Sequence, residues 1–406
     1  MKQIIVSLLD NDLYKYSMGQ AIYHQFPQYL TEWTFKCRNK DVYFTPEMVQ
    51  EIKEQIKKYC GLRYTEEELT YLRNIPWIKD DYVDFLRVWR PNFNDFYIEP
   101  EGPKGLVIKT KGTWLNTSQY EIPTLAIVNE VYFNLAQQRI ITLEAQYITN
   151  TTEKVSALKN NTYNIGVFSE FGTRRRLSRE TQYDMIKFLG TEDLGNSVFV
   201  GTSNVRAAME FGLKPVGTMA HEWIMSVGQG NRMINPAYSN WFALDAWVKE
   251  YGILNGIALT DTITTDVFCK DFQLTFATLF SGVRHDSGDP IIWGEKMIRH
   301  YEELGIDPHT KTLLFSDSLD FARADAINKY FKDKAKVAFG IGTYLSNDAG
   351  VTPLNIVMKV TQCSDGRGNL RPVAKISDVE GKGMCEDEKY VEYLQNMLTY
   401  RLEDKF

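Results

Sequence analysis

The chain has 406 residues, 44% hydrophobic and 24% charged, too long for one small core and ordinary for a soluble globular protein. A net charge of −6 with no long run of Lys or Arg argues against coating nucleic acid or lying on a membrane surface, although a local basic cluster can still grip phosphate. Five scattered cysteines, Cys37, Cys60, Cys269, Cys363 and Cys385, form no CxxC pair, so neither a disulfide framework nor a zinc ribbon is indicated and a reducing cytoplasm fits best.

The apolar start MKQIIVSLL is too short for a signal segment and runs into Asp10 and Asp12. Nowhere do 18 apolar residues follow one another, so the expectation is a protein neither exported nor membrane-spanning. Residues 13–26 and 48–59 read as helices, and 104–113 alternates as a strand does, punctuated by Gly102 and Pro103. Residues 1–135 therefore read as an α+β domain. From about residue 163 short apolar runs alternate with helical patterns. Strands are expected at 163–170, 197–202, 215–220, 256–260, 282–285, 312–316, 336–341 and 355–360, with helices such as 179–189 and 293–304 between them. That order is the signature of a (β/α) barrel over 136–360, with parallel strands and crossover helices. The tail 361–406 carries an SDGRGN turn and the alternating RPVAKIS, a hairpin expected to pack back on the first domain. The fold class is thus α/β, an irregular barrel plus an N-terminal α+β domain completed by the C-terminal tail.

In such barrels the chemistry gathers at the C-terminal ends of the strands. Of five histidines, His24, His300 and His309 sit in helical or charged contexts, whereas His221 follows the apolar PVGTMA and precedes Glu222. A satisfied structural histidine explains His221 about as well from spacing alone. Met225 breaks any HExxH pattern, which argues against zinc hydrolysis. The segment from Arg284 through Asp286, Ser287, Gly288 and Asp289 to Pro290 joins a guanidinium, two carboxylates and a glycine turn, a set suited to a Mg²⁺-bound pyrophosphate; the same residues also make an ordinary turn. The segments around Asp317 and around Gly342 and Thr343 end consecutive late strands, where phosphate is commonly held; a helix cap and a tight turn account for them equally. Arg174 could meet a carboxylate or phosphate and Phe171 could stack on a flat ring, or the three arginines at 174–176 could form a solvated loop.

Seven segments in order, DLYKYSM at 12–18, EFGTRRRLS at 170–178, FVGTSN at 199–204, GTMAHEW at 217–223, RHDSGDP at 284–290, FSDSLD at 315–320 and FGIGTYL at 339–345, closely resemble the nicotinate phosphoribosyltransferase family over almost the whole chain. The resemblance implies transfer of phosphoribose from phosphoribosyl pyrophosphate to nicotinate, with ATP as co-substrate and Mg²⁺ as cofactor. It makes His221 the residue that ATP phosphorylates, with Asp286 as its catalytic companion and Glu222 or another carboxylate orienting it. It assigns Arg284, Asp286, Ser287, Gly288, Asp317, Gly342 and Thr343 to the sugar-phosphate substrate, and Asp286 or Asp289 to the metal. Phe171, Arg174, Thr218, Ser203 and Arg284 fall in the pyridine pocket, joined by Tyr14 from a second subunit of a homodimer. The related nicotinamide-using enzyme has Asp where this chain has Ser203. Since aspartate accepts from an amide and repels a carboxylate, Ser203 beside Arg174 favours the acid. The competing expectation is another sugar-phosphate barrel, an isomerase or a Schiff-base aldolase, for which Lys359 is the lysine nearest a strand end.

Overall fold

The computed structural model describes residues 1–102, 105–136, 140–379, 383 and 385–403, with the side chains of 140 and 141 excepted. Pro103 and Lys104, at the start of the strand expected over 104–113, lie outside these residues, as do 380–382, 384 and 404–406 of the tail.

The strands fall into two sheets. One is antiparallel and built from β1 (Leu30–Cys37), β2 (Phe96–Glu101), β3 (Gly105–Thr113), β11 (Ile356–Ser364) and β12 (Arg371–Pro372), in the order β12-β11-β1-β3-β2. The other is parallel and contains β4 (Val167–Glu170), β5 (Val198–Thr202), β6 (Lys214–Pro215), β7 (Ile257–Leu259), β8 (Gly282–His285), β9 (Thr312–Phe315) and β10 (Lys336–Ile341), in the order β6-β5-β4-β10-β9-β8-β7. Helices connect its strands, as parallel pairing requires.

Two expectations about strands are corrected. The run at 355–360 joins no barrel strand; it is the start of β11, which pairs antiparallel with β1 from Leu30 opposite Ser364 to Cys37 opposite Ile356. An apolar run looks the same to a parallel and an antiparallel neighbour, so its pattern could not choose the sheet. The run at 215–220 shrinks to Lys214–Pro215, because Pro215 has no N–H to donate and the chain then passes close under the N-terminal segment. A Cβ on Gly217 would lie 3.0 Å from the Tyr14 amide nitrogen, so only glycine lets the two backbones approach. The parallel sheet is left with seven strands, and among the described residues no ladder joins β6 to β7. There the Thr218 hydroxyl donates to the Ile257 carbonyl at 2.9 Å and spans the gap with a side chain.

The helices follow local chemistry. Helix Leu13–Gln25 and helix Pro46–Cys60 occupy the expected stretches; the Thr45 hydroxyl caps the second by accepting from Met48 N, with Pro46 in its first turn. Helix Pro290–Glu303 begins three residues before the expected 293, because Asp289 caps it and Pro290 pre-sets the backbone dihedral. Strand β4 begins at 167 rather than 163, after Gly166 at φ +62°. The hairpin of the tail joins β1 through β11, but the chain beyond it goes elsewhere. Helix Glu388–Glu403 buries Leu394 and Leu398 against Ala237, Ile263, Val267 and Ala374, on the flank of the parallel sheet.

Candidate active site

The ends of β4, β5, β8, β9 and β10, together with β11, the N-terminal helix and the tail, enclose a cavity of about 590 Å³, the size of a small-molecule site. Of the residues singled out in the sequence, Tyr14, Phe171, Arg174, Ser203, His221, Arg284, Asp286, Asp317, Gly342 and Thr343 line it. Thr218, Ser287, Gly288 and Asp289 do not. Thr218 is spent on the β6/β7 gap, and Asp289 accepts from the Ile291 and Ile292 amides at 2.8 and 2.9 Å as a helix cap. Ser287 donates to Asp261 Oδ2 at 2.6 Å, and the Gly288 carbonyl lies 3.2 Å from His285 Nε2.

His221 opens helix His221–Gln229 and does not end a strand. Its Nε2 lies 2.9 Å from Asp261 Oδ1 and 3.5 Å from Asp286 Oδ2. The other oxygen of Asp261 takes Ser287 Oγ and Lys375 Nζ, the latter at 2.8 Å. Burial, reinforced by the Lys375 charge and opposed by Asp261, pulls the His221 imidazole down to about 4. Burial works against the Asp261 charge, yet His221 and Lys375 hold that carboxyl well below its usual range. The ring is therefore neutral near pH 7. With Nε2–H donating to Asp261, the lone pair sits on Nδ1.

The carboxylate beside His221 in sequence points away from it. Glu222 is buried among Lys15, Trp114 and Ser118, accepting from Trp114 Nε1 at 3.3 Å and Ser118 Oγ at 2.5 Å. Successive residues on a helix diverge by about 100°, so Glu222 cannot share His221's direction, and the orienting role expected of Glu222 or another carboxylate falls to Asp261. Asp261 carried a readable signal: it follows the strand expected over 256–260, in TDT, where barrel chemistry gathers. Lys375 carried none. It arrives because Ile376 N donates to the Thr262 carbonyl and Thr265 N donates to the Asp378 carboxylate, long-range contacts that clamp the tail onto the β7 end.

At the other part of the cavity, Phe171 N donates to the Ile341 carbonyl and its ring lies over Gly340, where a Cβ would fall 2.3 Å from ring carbons. Arg174 Nη1 stands 3.8 Å from Glu121 Oε1, which also faces Lys359 at 3.6 Å. Tyr14 of the same chain borders this region. Ser203 Oγ is 2.8 Å from Asp12 Oδ1, a cavity residue that the sequence reading left without a role. Arg284 Nε is buried with no protein partner, a donor suited to a ligand oxygen.

A deeper support fixes both regions. Arg176 is fully buried; it grips Asp10 through two bonds of 2.7 and 2.9 Å and Glu130 through Nε at 2.8 Å. Asp10 also accepts from Asn204 at 2.7 Å, which ties the N-terminal segment to the β5 loop.

Comparison with known proteins identifies the family. The model of the nicotinate phosphoribosyltransferase family matches residues 167–402, and the model of that family's N-terminal domain matches 9–129. Nicotinate phosphoribosyltransferase of Cupriavidus necator is 44% identical over 401 residues, covering 98% of each chain. Nicotinate phosphoribosyltransferase 1 of Pseudomonas aeruginosa is 44% identical over 405 residues with the same coverage. Among solved structures, nicotinate phosphoribosyltransferase of Vibrio cholerae superposes with a TM-score of 0.88 at 36% identity, over 98% of this chain and 94% of the other. The enzyme of that name from Porphyromonas gingivalis gives 0.88 at 34%, over 98% and 100%. None of these comparisons supports an isomerase or an aldolase. No helix of the described residues is long and apolar enough to cross a membrane. With likeness in sequence and fold running from end to end, the chain belongs to the nicotinate phosphoribosyltransferase family and is an enzyme of NAD biosynthesis.

Proposed function

We propose that this enzyme couples ATP hydrolysis, through phosphorylation of His221, to transfer of phosphoribose from phosphoribosyl pyrophosphate to nicotinate. The observation that carries the proposal is the buried, neutral imidazole of His221 in the cavity lining, held by Asp261 through Nε2, which leaves the Nδ1 lone pair as the nucleophile. Nδ1 attacks the terminal phosphorus of ATP, the bond to the bridging oxygen breaks, and ADP leaves. Asp261 and Lys375 then face a ring that has gained a phosphoryl group. The imidazolium-like product is stabilised by the Asp261 carboxylate, as in other His–Asp pairs.

For the transfer itself, the pyridine nitrogen of nicotinate bonds to the anomeric carbon as the carbon–oxygen bond to pyrophosphate breaks. Arg284, with its unpaired Nε, meets the growing negative charge on the leaving group, and Thr343 with the backbone at Gly342 takes the phosphate end. Phe171 and Tyr14 hold the ring, and Arg174 answers its carboxylate. Water finally cleaves the phosphohistidine and resets the ring. Asp286, which faces the cavity, would hold Mg²⁺ together with pyrophosphate, whereas Asp261 already accepts from His221, Ser287 and Lys375 and Asp289 caps a helix. Bound there, the cation would supply positive charge to offset that of the pyrophosphate. Two copies of the chain are expected to associate as a homodimer, which sedimentation would report.

The test is a product assay with phosphoribosyl pyrophosphate and Mg²⁺, comparing nicotinate and nicotinamide with and without ATP, alongside label transfer from terminally labelled ATP. Nicotinate mononucleotide whose formation ATP enhances, with label on His221, is expected. The His221→Ala variant should lose the label and the ATP enhancement while keeping weak ATP-independent transfer; unchanged ATP coupling in it would sink the phosphohistidine.

A further inference from the structure

Ser203 has one proton to give, and its oxygen lies 2.8 Å from Asp12 Oδ1. Both residues are buried and both border the cavity. Their geometry is rigid: Leu13 N donates to the Ser203 carbonyl at 2.8 Å, and Ser203 N donates to the Glu170 carbonyl at 2.9 Å. If Asp12 is ionised, the hydroxyl must donate to it, and a ligand at Ser203 meets only lone pairs beside a second negative charge. The amide NH₂ of nicotinamide suits that arrangement, and the carboxylate of nicotinate does not. If Asp12 carries a proton, its O–H donates to Ser203 Oγ, which frees the Ser203 hydroxyl to donate into the cavity next to Arg174.

We propose that Asp12 is a specificity-determining residue which, acting through Ser203, decides whether the pocket offers the ring substituent a donor or an acceptor. The inference rests on the reading of Ser203 and Arg174 as the groups that meet the acid. It explains how a nicotinate pocket tolerates a carboxyl group in its lining, a problem that Ser203 alone does not solve. Burial favours the protonated form, opposed by hydrogen bonds from Ser203 and Thr173 and by the Arg174 charge, while Glu121 adds to it. Tyr14 and Glu170 also face Asp12. Glu170 is the one whose proton could be mistaken for that of Asp12, since burial pushes its carboxyl up to about 7.

The experiment measures KM for nicotinate and for nicotinamide from weakly acidic to weakly alkaline pH, for the wild type and for D12N, E170Q and S203A. In the wild type, nicotinate KM should rise about tenfold per pH unit once Asp12 ionises, with no such rise for nicotinamide. D12N, whose amide NH₂ donates to Ser203 at every pH, should flatten the nicotinate profile. E170Q should keep the wild-type rise. S203A removes the relay without touching Asp12, so it should start from a higher nicotinate KM and stay flat, which provides the test should D12N not fold. A flat wild-type profile, a wild-type slope in D12N or S203A, or loss of the slope in E170Q would overturn the inference while leaving the enzyme a nicotinate phosphoribosyltransferase. Absence of any pyridine nucleotide from the wild type would instead overturn the underlying reading and the inference with it.

Discussion

Two buried aspartates serve this cavity and their neighbours shift their carboxyl groups in opposite directions. Asp261 meets a lysine, a histidine and a serine, and these hold it ionised in spite of burial. Asp12 meets Ser203 and Thr173, with Arg174 farther away, and burial wins. The contrast teaches that the residue type did not set the chemistry of either position. A directly bonded cation outweighs desolvation, and two hydroxyls with a more distant guanidinium do not.

The sharpest way to break the comparison is at Asp261. D261N should lower ATP-driven phosphorylation of His221 by about 10²- to 10⁴-fold, because it removes the charge that fixes the tautomer and stabilises the charged ring. Rapid-quench label transfer would read this, and a rate close to wild type would remove Asp261 from the mechanism. R176M tests the shared support behind both regions. Leaving Asp10 and Glu130 buried without their guanidinium should cost about 3–5 kcal/mol in urea unfolding. A cost below about 1 kcal/mol would mean that water or protonation replaces the pair.

E222Q sharpens the contrast between nearness in sequence and nearness in space. It should cost about 1–3 kcal/mol of stability through the buried Lys15 pair while the phosphorylation rate of His221 stays near wild type. A phosphorylation defect as large as that of D261N would overturn the assignment of the orienting role. The effect of pH is the most gradual. Folded His221 gains its proton only near pH 4, whereas the unfolded chain gains it near 6.5. Stability from the buried neutral ring is therefore complete above 6.5 and declines as pH falls toward 4, by at most about 1.4 kcal/mol per pH unit. Comparing acid unfolding of the wild type with H221Q isolates that contribution; identical slopes would show that the ring is not neutral in the folded state.

Much of the fold was legible because short parallel strands and amphipathic helices leave periodic marks, and most expected strands lie within a few residues of the observed ones. The exceptions share a cause. The run at 355–360 has the composition of any buried strand, and only β1, more than 300 positions away, gives it an antiparallel partner. The run at 215–220 looked continuous because periodicity does not register how closely Gly217 must pass Tyr14.

For the site, the sequence by itself determined which residue types gather at strand ends: His221, Arg284, Asp286, Asp317, Arg174 and Phe171 all line one cavity, as a (β/α) order and family motifs together imply. What only the tertiary structure decided is which of these groups touch. His221 pairs with Asp261 rather than the adjacent Glu222, Lys375 reaches Asp261 from a tail 114 positions later, and Ser203 turns its hydroxyl toward Asp12 across 191 positions. Charge state follows from those contacts. A hydrogen bond or ion pair acts over a few ångströms, and chain separation carries no information about such distances until the backbone has folded.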